Sequence, residues 1–277
     1  MSLLKCFSLF IDIGREDWTC GCSRSITSYI NNFVSFYSTL EVDLTLFCEE
    51  NFKNFLEPII SNHENFRSKI RFELINRSDL RYFSSLQEIE SIQKSESLKQ
   101  AIKNSSTNVP EYNRPDYVAL MFSKPEILLI AKNRRLINDD DQVAWIDFGI
   151  AHGKQQYISI LANKSLVTRE FLNDKVVLFN RKSSFPPNDV ESFFNMSDNV
   201  FVPGGFFVVP GRLVDDFCAD FNSTVESQLF KKCLVDDDQT VLSIVANNKN
   251  LCSVIDSSKW FNNPPGGDWF PVFDFID

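Results

Sequence analysis

Apolar runs of four to six residues alternate, through the first half of the chain, with stretches whose apolar positions recur every three or four residues. That alternation is expected of βαβ units on a mostly parallel sheet flanked by helices. Residues 5–11 read as the first strand. Across 25–40 the apolar side chains fall at Ile26, Tyr29, Ile30, Phe33, Phe36 and Tyr37, one stripe of a helix lying on that sheet. Residues 41–47 form the second strand, 52–60 a second helical stripe and 70–75 a third strand. A polar helical stretch over 85–103 leads into 104–110, a loop by its turn-forming composition. The spacing predicts a long apolar helix over 115–135, bent near Pro125, and then a buried strand over 142–146 that ends in Asp147-Phe148-Gly149.

The second half carries strands over 176–179 and 200–210 and helices over 213–232 and 236–246. The tail, 260–277, is rich in proline, glycine and aromatic residues and reads as a loop folding back, as a lid, as a sugar-stacking wall or simply onto the core. No repeat or low-complexity linker divides the chain, so 1–277 is read as one α/β domain.

Composition narrows what such a domain does. With 277 residues, 43% hydrophobic and 23% charged, the chain has ordinary globular usage and can bury a sizeable core. Its 27 phenylalanines against 9 glycines are read mainly as core filler, with a few rings left for a pocket. A formal net charge of −9 argues against nucleic-acid binding, which needs clustered lysine and arginine. A phosphate-bearing small molecule stays compatible with it, since one or two local cations and a helix N-terminus suffice. The seven cysteines lack paired metal spacing, Cys20 and Cys22 being the one close pair, which fits reduced thiols and a cytoplasmic location. The opening residues lack the apolar core of a signal peptide, and no run reaches transmembrane length.

Candidate chemistry sits where strands should end or helices begin, the places at which open α/β sheets bind ligands. In Phe10-Ile11-Asp12-Ile13-Gly14-Arg15 a strand emerges into an acid, a glycine and a cation. Asp12 would accept hydrogen bonds from a base or ribose, Gly14 would allow close backbone approach, and Arg15 would grip a phosphate in two-pronged fashion. A turn salt bridge between Asp12 and Arg15 is the plain alternative. Asp147 follows a strand buried on both faces, and a carboxylate there needs a partner. A divalent cation, Mg²⁺ or Mn²⁺, would serve, or else Asp147 caps the next turn. Asp236-Asp237-Asp238-Gln239 opens a helix, where the dipole favours acids. Two glycines, Gly204 and Gly205, lead into an apolar strand, unusual unless something approaches the backbone closely. His152 is five residues beyond Asp147, within reach of a shared ligand or simply in a surface turn.

Taken in order, several of these segments resemble the HtrL/YibB family, a group linked to bacterial surface-polysaccharide genes and related to GT-A glycosyltransferases. The segments are 10–15 with Trp18, Tyr117-Val118-Ala119-Leu120-Met121-Phe122-Ser123-Lys124, Trp145-Ile146-Asp147-Phe148-Gly149-Ile150, Gly204-Gly205-Phe206-Phe207 and Asp237-Asp238-Gln239. The resemblance implies a GT-A-like domain whose residues 1–150 bind a nucleotide and whose residues 151–277 bind the donor sugar and the acceptor. It implies transfer of a hexose from a nucleotide sugar, UDP-linked, to a glycan or lipid-linked acceptor, in the cytoplasm and close to a membrane. Asp12, Gly14 and Arg15 would then face the nucleotide, Lys124 its phosphates, Gly204 and Gly205 the sugar. Asp147 would stand in the place of the metal-binding Asp-x-Asp, although Trp145 replaces its first acid and leaves a second ligand to Asp238, His152 or no protein group. Asp238 would bind sugar or acceptor or act as catalytic base. A nucleotide-sugar-binding protein without turnover, and a phosphate-ester hydrolase using Asp12 as nucleophile, are the competing readings. Gly14 stands where such a hydrolase would carry its second acid.

Overall fold

A computed structural model of the protein describes residues 3–19, 22–64, 66–102, 109–152, 158, 162–168, 174–196 and 199–256. Its first two apolar runs form adjacent parallel strands, as runs of continuous hydrophobic character do when both faces of a sheet are covered. These are β1 (Lys5–Phe10) and β2 (Asp43–Cys48), with β1 pairing in parallel with β2 on one side and β4 (Gln142–Ile146) on the other, while β3 (Lys69–Leu74), which alternates polar and apolar residues, pairs in parallel with β2 at the sheet's edge. Strands β5 (Val176–Asn180), β6 (Phe206–Pro210) and β7 (Cys252–Asp256) complete a seven-stranded sheet of order β3-β2-β1-β4-β6-β5-β7. The sheet is mostly parallel, as expected, with one exception. Strand β6 runs antiparallel to both β4 and β5, and that reversal matters for the site.

One face of the sheet receives α1 (Ile26–Thr39) and α2 (Glu50–Ser61). Ser25 caps α1 by accepting the Ser28 N–H at 3.1 Å, and the predicted stripe Ile30, Phe33, Phe36 and Tyr37 packs on Cys6, Leu44, Leu46, Ala144 and Ile146. The opposite face presents Phe7, Leu9, Phe47, Val143, Trp145 and Phe207 to the remaining helices. Phe33, Phe36, Phe47, Phe122, Phe179 and Phe193 are all fully buried, so the phenylalanine excess is chiefly core. Each ring fully removed from water contributes on the order of 1.5–3 kcal/mol.

The predicted long helices are interrupted. The polar stretch becomes α3 (Arg81–Ser84), α4 (Leu86–Gln93) and α5 (Glu96–Ala101), because Ser95 turns its hydroxyl to the Leu98 N–H and starts a new helix. The apolar stretch divides at Ser123 into α6 (Pro115–Phe122) and α7 (Lys124–Asn133). Pro125 has no N–H to give and so belongs in the first turn of a helix, where none is required. Beyond a short α8 (Val190–Phe194), α9 (Val214–Thr224) continues through a wider turn, Val225–Leu229, and a tighter one, Phe230–Lys232, before α10 (Asp238–Val245). The strand expected over 200–210 is confined to β6, since Pro203-Gly204-Gly205 forms the turn into it. No helix among the described residues is long and apolar enough to cross a membrane. Most of the loop expected at 104–110, and all of the aromatic tail 260–277, lie outside the described residues.

Candidate functional site

Strands β1 and β4 are parallel neighbours, so the segments that follow them, Ile11 to Arg15 and Asp147 to Gly149, emerge on the same rim. The antiparallel register of β6 sets Phe206 opposite Ile146 and brings the start of β6 to that rim too, where the Asp147 N–H donates to the Gly205 carbonyl at 2.9 Å. A cleft opens over this rim, and Asp12, Arg15, Arg24, Tyr29, Lys124 and Asp147 line it.

Lys124 organises the back of the cleft. It is the first residue of α7 and only 2% exposed. A buried ammonium costs several kcal/mol unless it is paired and its donors are used. All three N–H groups have acceptors: Asp238 Oδ2 at 2.8 Å, the Gly204 carbonyl at 3.0 Å and Asp147, whose Oδ1 lies at 3.0 Å and Oδ2 at 3.2 Å. Burial alone would lower the Lys124 pKa; the Asp147 and Asp238 carboxylates outweigh it and hold the ammonium well above the ordinary lysine range. Burial pushes the Asp238 carboxyl up, and Lys124 pulls it back. Asp147 Oδ1 also accepts the Trp145 indole N–H at 2.6 Å. Residue 145 lies in β4 and residue 147 just beyond its end, two positions on and on the same side, so the tryptophan at the first-acid position is a donor to the remaining acid.

The expected site residues divide into those on the open cleft and those behind it. Asp12, Arg15, Lys124 and Asp147 come together on the cleft wall. Gly204 is buried against Asp238, and a Cβ there would stand 1.7 Å from Asp238 Oδ2. Gly205 abuts Asp147, with a Cβ position 3.7 Å from Asp147 Oδ2. Asp238 is 1% exposed and stands behind Lys124. Gly14 has φ +67°, in the left-handed region, with nothing within 4 Å of its Cβ position. Backbone conformation thus accounts for this glycine locally.

The turn salt bridge between Asp12 and Arg15 is not formed. Asp12 Oδ1 accepts the Gly14 N–H at 2.9 Å, while Arg15 donates to Tyr29 Oη at 2.6 Å and the Cys22 carbonyl at 3.0 Å. Its guanidinium lies 5.0 Å from the Trp18 ring centre and 5.6 Å from that of Tyr117, and its buried Nε has no hydrogen-bond partner among the described residues. Arg24 was not singled out by the sequence; it rests 5.9 Å from the centre of the Tyr29 ring.

A divalent cation does not fit the residues around Asp147 as they stand. Both carboxylate oxygens already face the Lys124 ammonium, and Oδ1 holds the indole as well. Among the described residues no three of His, Cys, Asp and Glu converge on a point, whereas Mg²⁺ demands a near-octahedral oxygen shell. The two second ligands considered are engaged elsewhere. Asp238 is held by Lys124, and His152 Nδ1 faces Asn32 Nδ2 at 3.5 Å. Burial, and then Arg24 and Arg15, lower the His152 pKa.

Sequence reasoning missed Glu111, which precedes α6. Burial pushes its carboxyl up to about 7, Asp236 and Asp238 adding to the effect, and its buried Oε2 has no hydrogen-bond partner among the described residues. Asp236 rises to about 6 through burial and then Asp238, although Thr240 and the Asp237 N–H bond to it. Burial and the charges of Asp236 and Asp238 also hold Asp237 above its ordinary range. A carboxyl whose pKa is raised by folding contributes stability below its unfolded pKa and loses it as pH climbs through the folded value. For Glu111 that window runs from the ordinary 4.5 to about 7. Urea midpoints are therefore expected to fall from pH 5 to pH 8, and Glu111→Gln should flatten the fall; an unchanged slope in the variant would contradict the assignment.

Residues 4–275 match the family described as bacterial protein of unknown function, HtrL_YibB. No curated protein matches the sequence. Among solved structures the chain is similar to the apo form of mouse xyloside xylosyltransferase 1, at 9% identity, covering 91% of this chain and 85% of that one with a TM-score of 0.42. It is also similar to 4-diphosphocytidyl-2C-methyl-D-erythritol synthase from Anaerococcus prevotii, at 11% identity, covering 92% and 86% with a TM-score of 0.35. Likeness at this level speaks for neither substrate nor chemistry.

Proposed function

The chain belongs to the HtrL/YibB family, and on that premise we propose that it is a GT-A-like glycosyltransferase. It moves a hexose from a nucleotide sugar, UDP-linked by the family resemblance, to a surface-polysaccharide or lipid-linked glycan acceptor. One observation carries the reading: the Asp12–Arg15 segment and Asp147 leave adjacent parallel strands at one rim and line a single cleft. Arginine side chains from residues 15 and 24 lie in that cleft, a local cationic patch on a chain of net charge −9. Patches of this kind suit a diphosphate, which guanidinium groups hold through two parallel hydrogen bonds.

In this reading residues 1–150 supply the nucleotide site and residues 151–277 most of the sugar and acceptor site. Exposed Asp12 accepts hydrogen bonds from the base or ribose, and Arg15 and Arg24 face the diphosphate. The bond from the sugar's anomeric carbon to the phosphate oxygen breaks, with the electron pair leaving on the nucleoside diphosphate. The acceptor hydroxyl oxygen forms the new bond, and its proton passes to the departing diphosphate or to water. Asp147, about 30% exposed at its side chain, is the carboxylate of the Lys124 pair that opens on the reacting centre. Asp238 acts through Lys124, as a positioning residue. The enzyme works in the cytoplasm beside a membrane that presents a lipid-linked acceptor.

A thermal-shift screen of nucleotide sugars tests the reading directly. A ligand at one hundred times its dissociation constant stabilises the fold by about 2.7 kcal/mol, which for a chain of this size raises Tm by roughly 5 °C. UDP-sugars are expected to give that shift and to release UDP on chromatography when a suitable acceptor is present. Asp147→Ala should abolish release with the fold intact. Absence of any shift with every nucleotide sugar would refute the proposal, and a shift without release under any acceptor would favour a binding protein.

A further inference from the structure

We propose, resting on the nucleotide-sugar reading, that this protein transfers sugar without a divalent cation, the Lys124 ammonium holding the position between Asp147 and Asp238. The local sequence is built around that lysine. The helix break at Ser123 and the proline at 125 fix Lys124 as the first residue of α7, pointing into the sheet rim. Its three donors are used by Asp147, Asp238 and the Gly204 carbonyl, so the ammonium is fully satisfied where it stands. Gly204 completes the arrangement: any side chain there would occupy the place of the Asp238 carboxylate.

A cation bound to Asp147 would share one carboxylate with this ammonium. Metal–oxygen distances of about 2.0–2.1 Å for Mg²⁺ would set two like charges only a few ångströms apart, and Asp147 Oδ1 would still be tied to Trp145. Charge on the departing diphosphate has another counterpart. Arg15 and Arg24 lie on the cleft wall, and neither forms a salt bridge to a carboxylate among the described residues. Lys124 thus holds Asp147 in place and aimed, and the two arginines take the phosphates.

Manganese titration of the full chain, followed by electron paramagnetic resonance of the free ion, tests this without any nucleotide. The wild type is expected to leave the Mn²⁺ signal undiminished, and UDP affinity by calorimetry should change less than twofold between excess EDTA and millimolar Mn²⁺. Stoichiometric Mn²⁺ binding that disappears in Asp147→Asn would overturn the proposal, as would a tenfold or greater loss of UDP affinity in EDTA. Lys124→Ala, which leaves two carboxylates facing a vacated space, should gain Mn²⁺ binding that the wild type lacks. Should that variant fail to fold, the wild-type titration decides alone. If no nucleotide binds in either buffer, glycosyl transfer is refuted, and the titration of the ligand-free chain still judges the cation question.

Discussion

Lys124→Met is expected to cost about 3–5 kcal/mol of folding stability, the range seen when one partner of a buried ion pair is removed. The penalty comes from what remains. Asp147 and Asp238 would face each other without the ammonium, and Asp238 is too far from solvent to be hydrated. Methionine fills most of the volume of the lysine stem, so a cavity contributes little and the loss reports the charge. Urea unfolding gives the number. Adding Asp238→Asn to Lys124→Met removes the stranded charge and should recover a good part of the stability, even though it deletes a second native contact. A double variant as unstable as the sum of the two single ones would mean that the three groups are not coupled. Loss of less than about 1 kcal/mol in Lys124→Met would mean that the pair is effectively hydrated, which burial at this depth does not allow.

How much of this could be read from the sequence follows from the range of each signal. Strands β1 to β4 and helix α1 were legible because their information is local: apolar runs for β1, β2 and β4, covered on two faces, strict polar–apolar alternation for the edge strand β3, and a stripe at Ile30, Phe33, Phe36 and Tyr37 for the helix. Strand β7 was not. Cys252-Ser253-Val254-Ile255-Asp256 mixes polar and apolar residues and is mostly half-buried, paired with β5. Break points inside the helices were half legible. Pro125 announced a bend, whereas Ser95 gave the same signal as any serine until its hydroxyl was seen on Leu98.

The site followed the same rule. That Asp12, Arg15 and Asp147 share a rim was anticipated, since strand ends in a parallel sheet point one way. The direction of β6 is not encoded in its hydrophobicity, because parallel and antiparallel central strands bury the same side chains. Yet that direction delivers Gly204 and Gly205 to Asp147. Lys124 and Asp238 are 114 residues apart, and a lysine at the start of an apolar helix is more often solvated. One local clue was available: Asp147 comes two positions after Trp145, at the end of an extended run, where alternate positions share a face, so the indole N–H and the carboxylate could meet. It pointed to a hydrogen-bonded acid where a metal-bound one was expected.

Gly204→Ala carries the second large effect and tests whether the site is built around the lysine. The added methyl would lie 1.7 Å from Asp238 Oδ2 and 2.6 Å from its Cγ, contacts no folded protein tolerates. Asp238 has a short side chain at the start of α10 and is 1% exposed, so it cannot swing clear into solvent. Either the turn 203–205 shifts, pulling the Gly204 carbonyl and the Asp147–Gly205 hydrogen bond with it, or the carboxylate leaves Lys124. Overpacking of a dense interior costs about 1–3 kcal/mol, and disturbing the ion pair adds to it. A fall of at least 2 kcal/mol in urea unfolding is expected, together with loss of UDP release. Gly205→Ala supplies the contrast. Its methyl would meet Ile150 Cδ1 at 3.0 Å, the end of a flexible side chain, and Asp147 Oδ2 at 3.7 Å, so it should cost less than half as much. Equal losses in the two variants would show that the penalty belongs to the glycine turn as a whole and not to the space that Asp238 takes up.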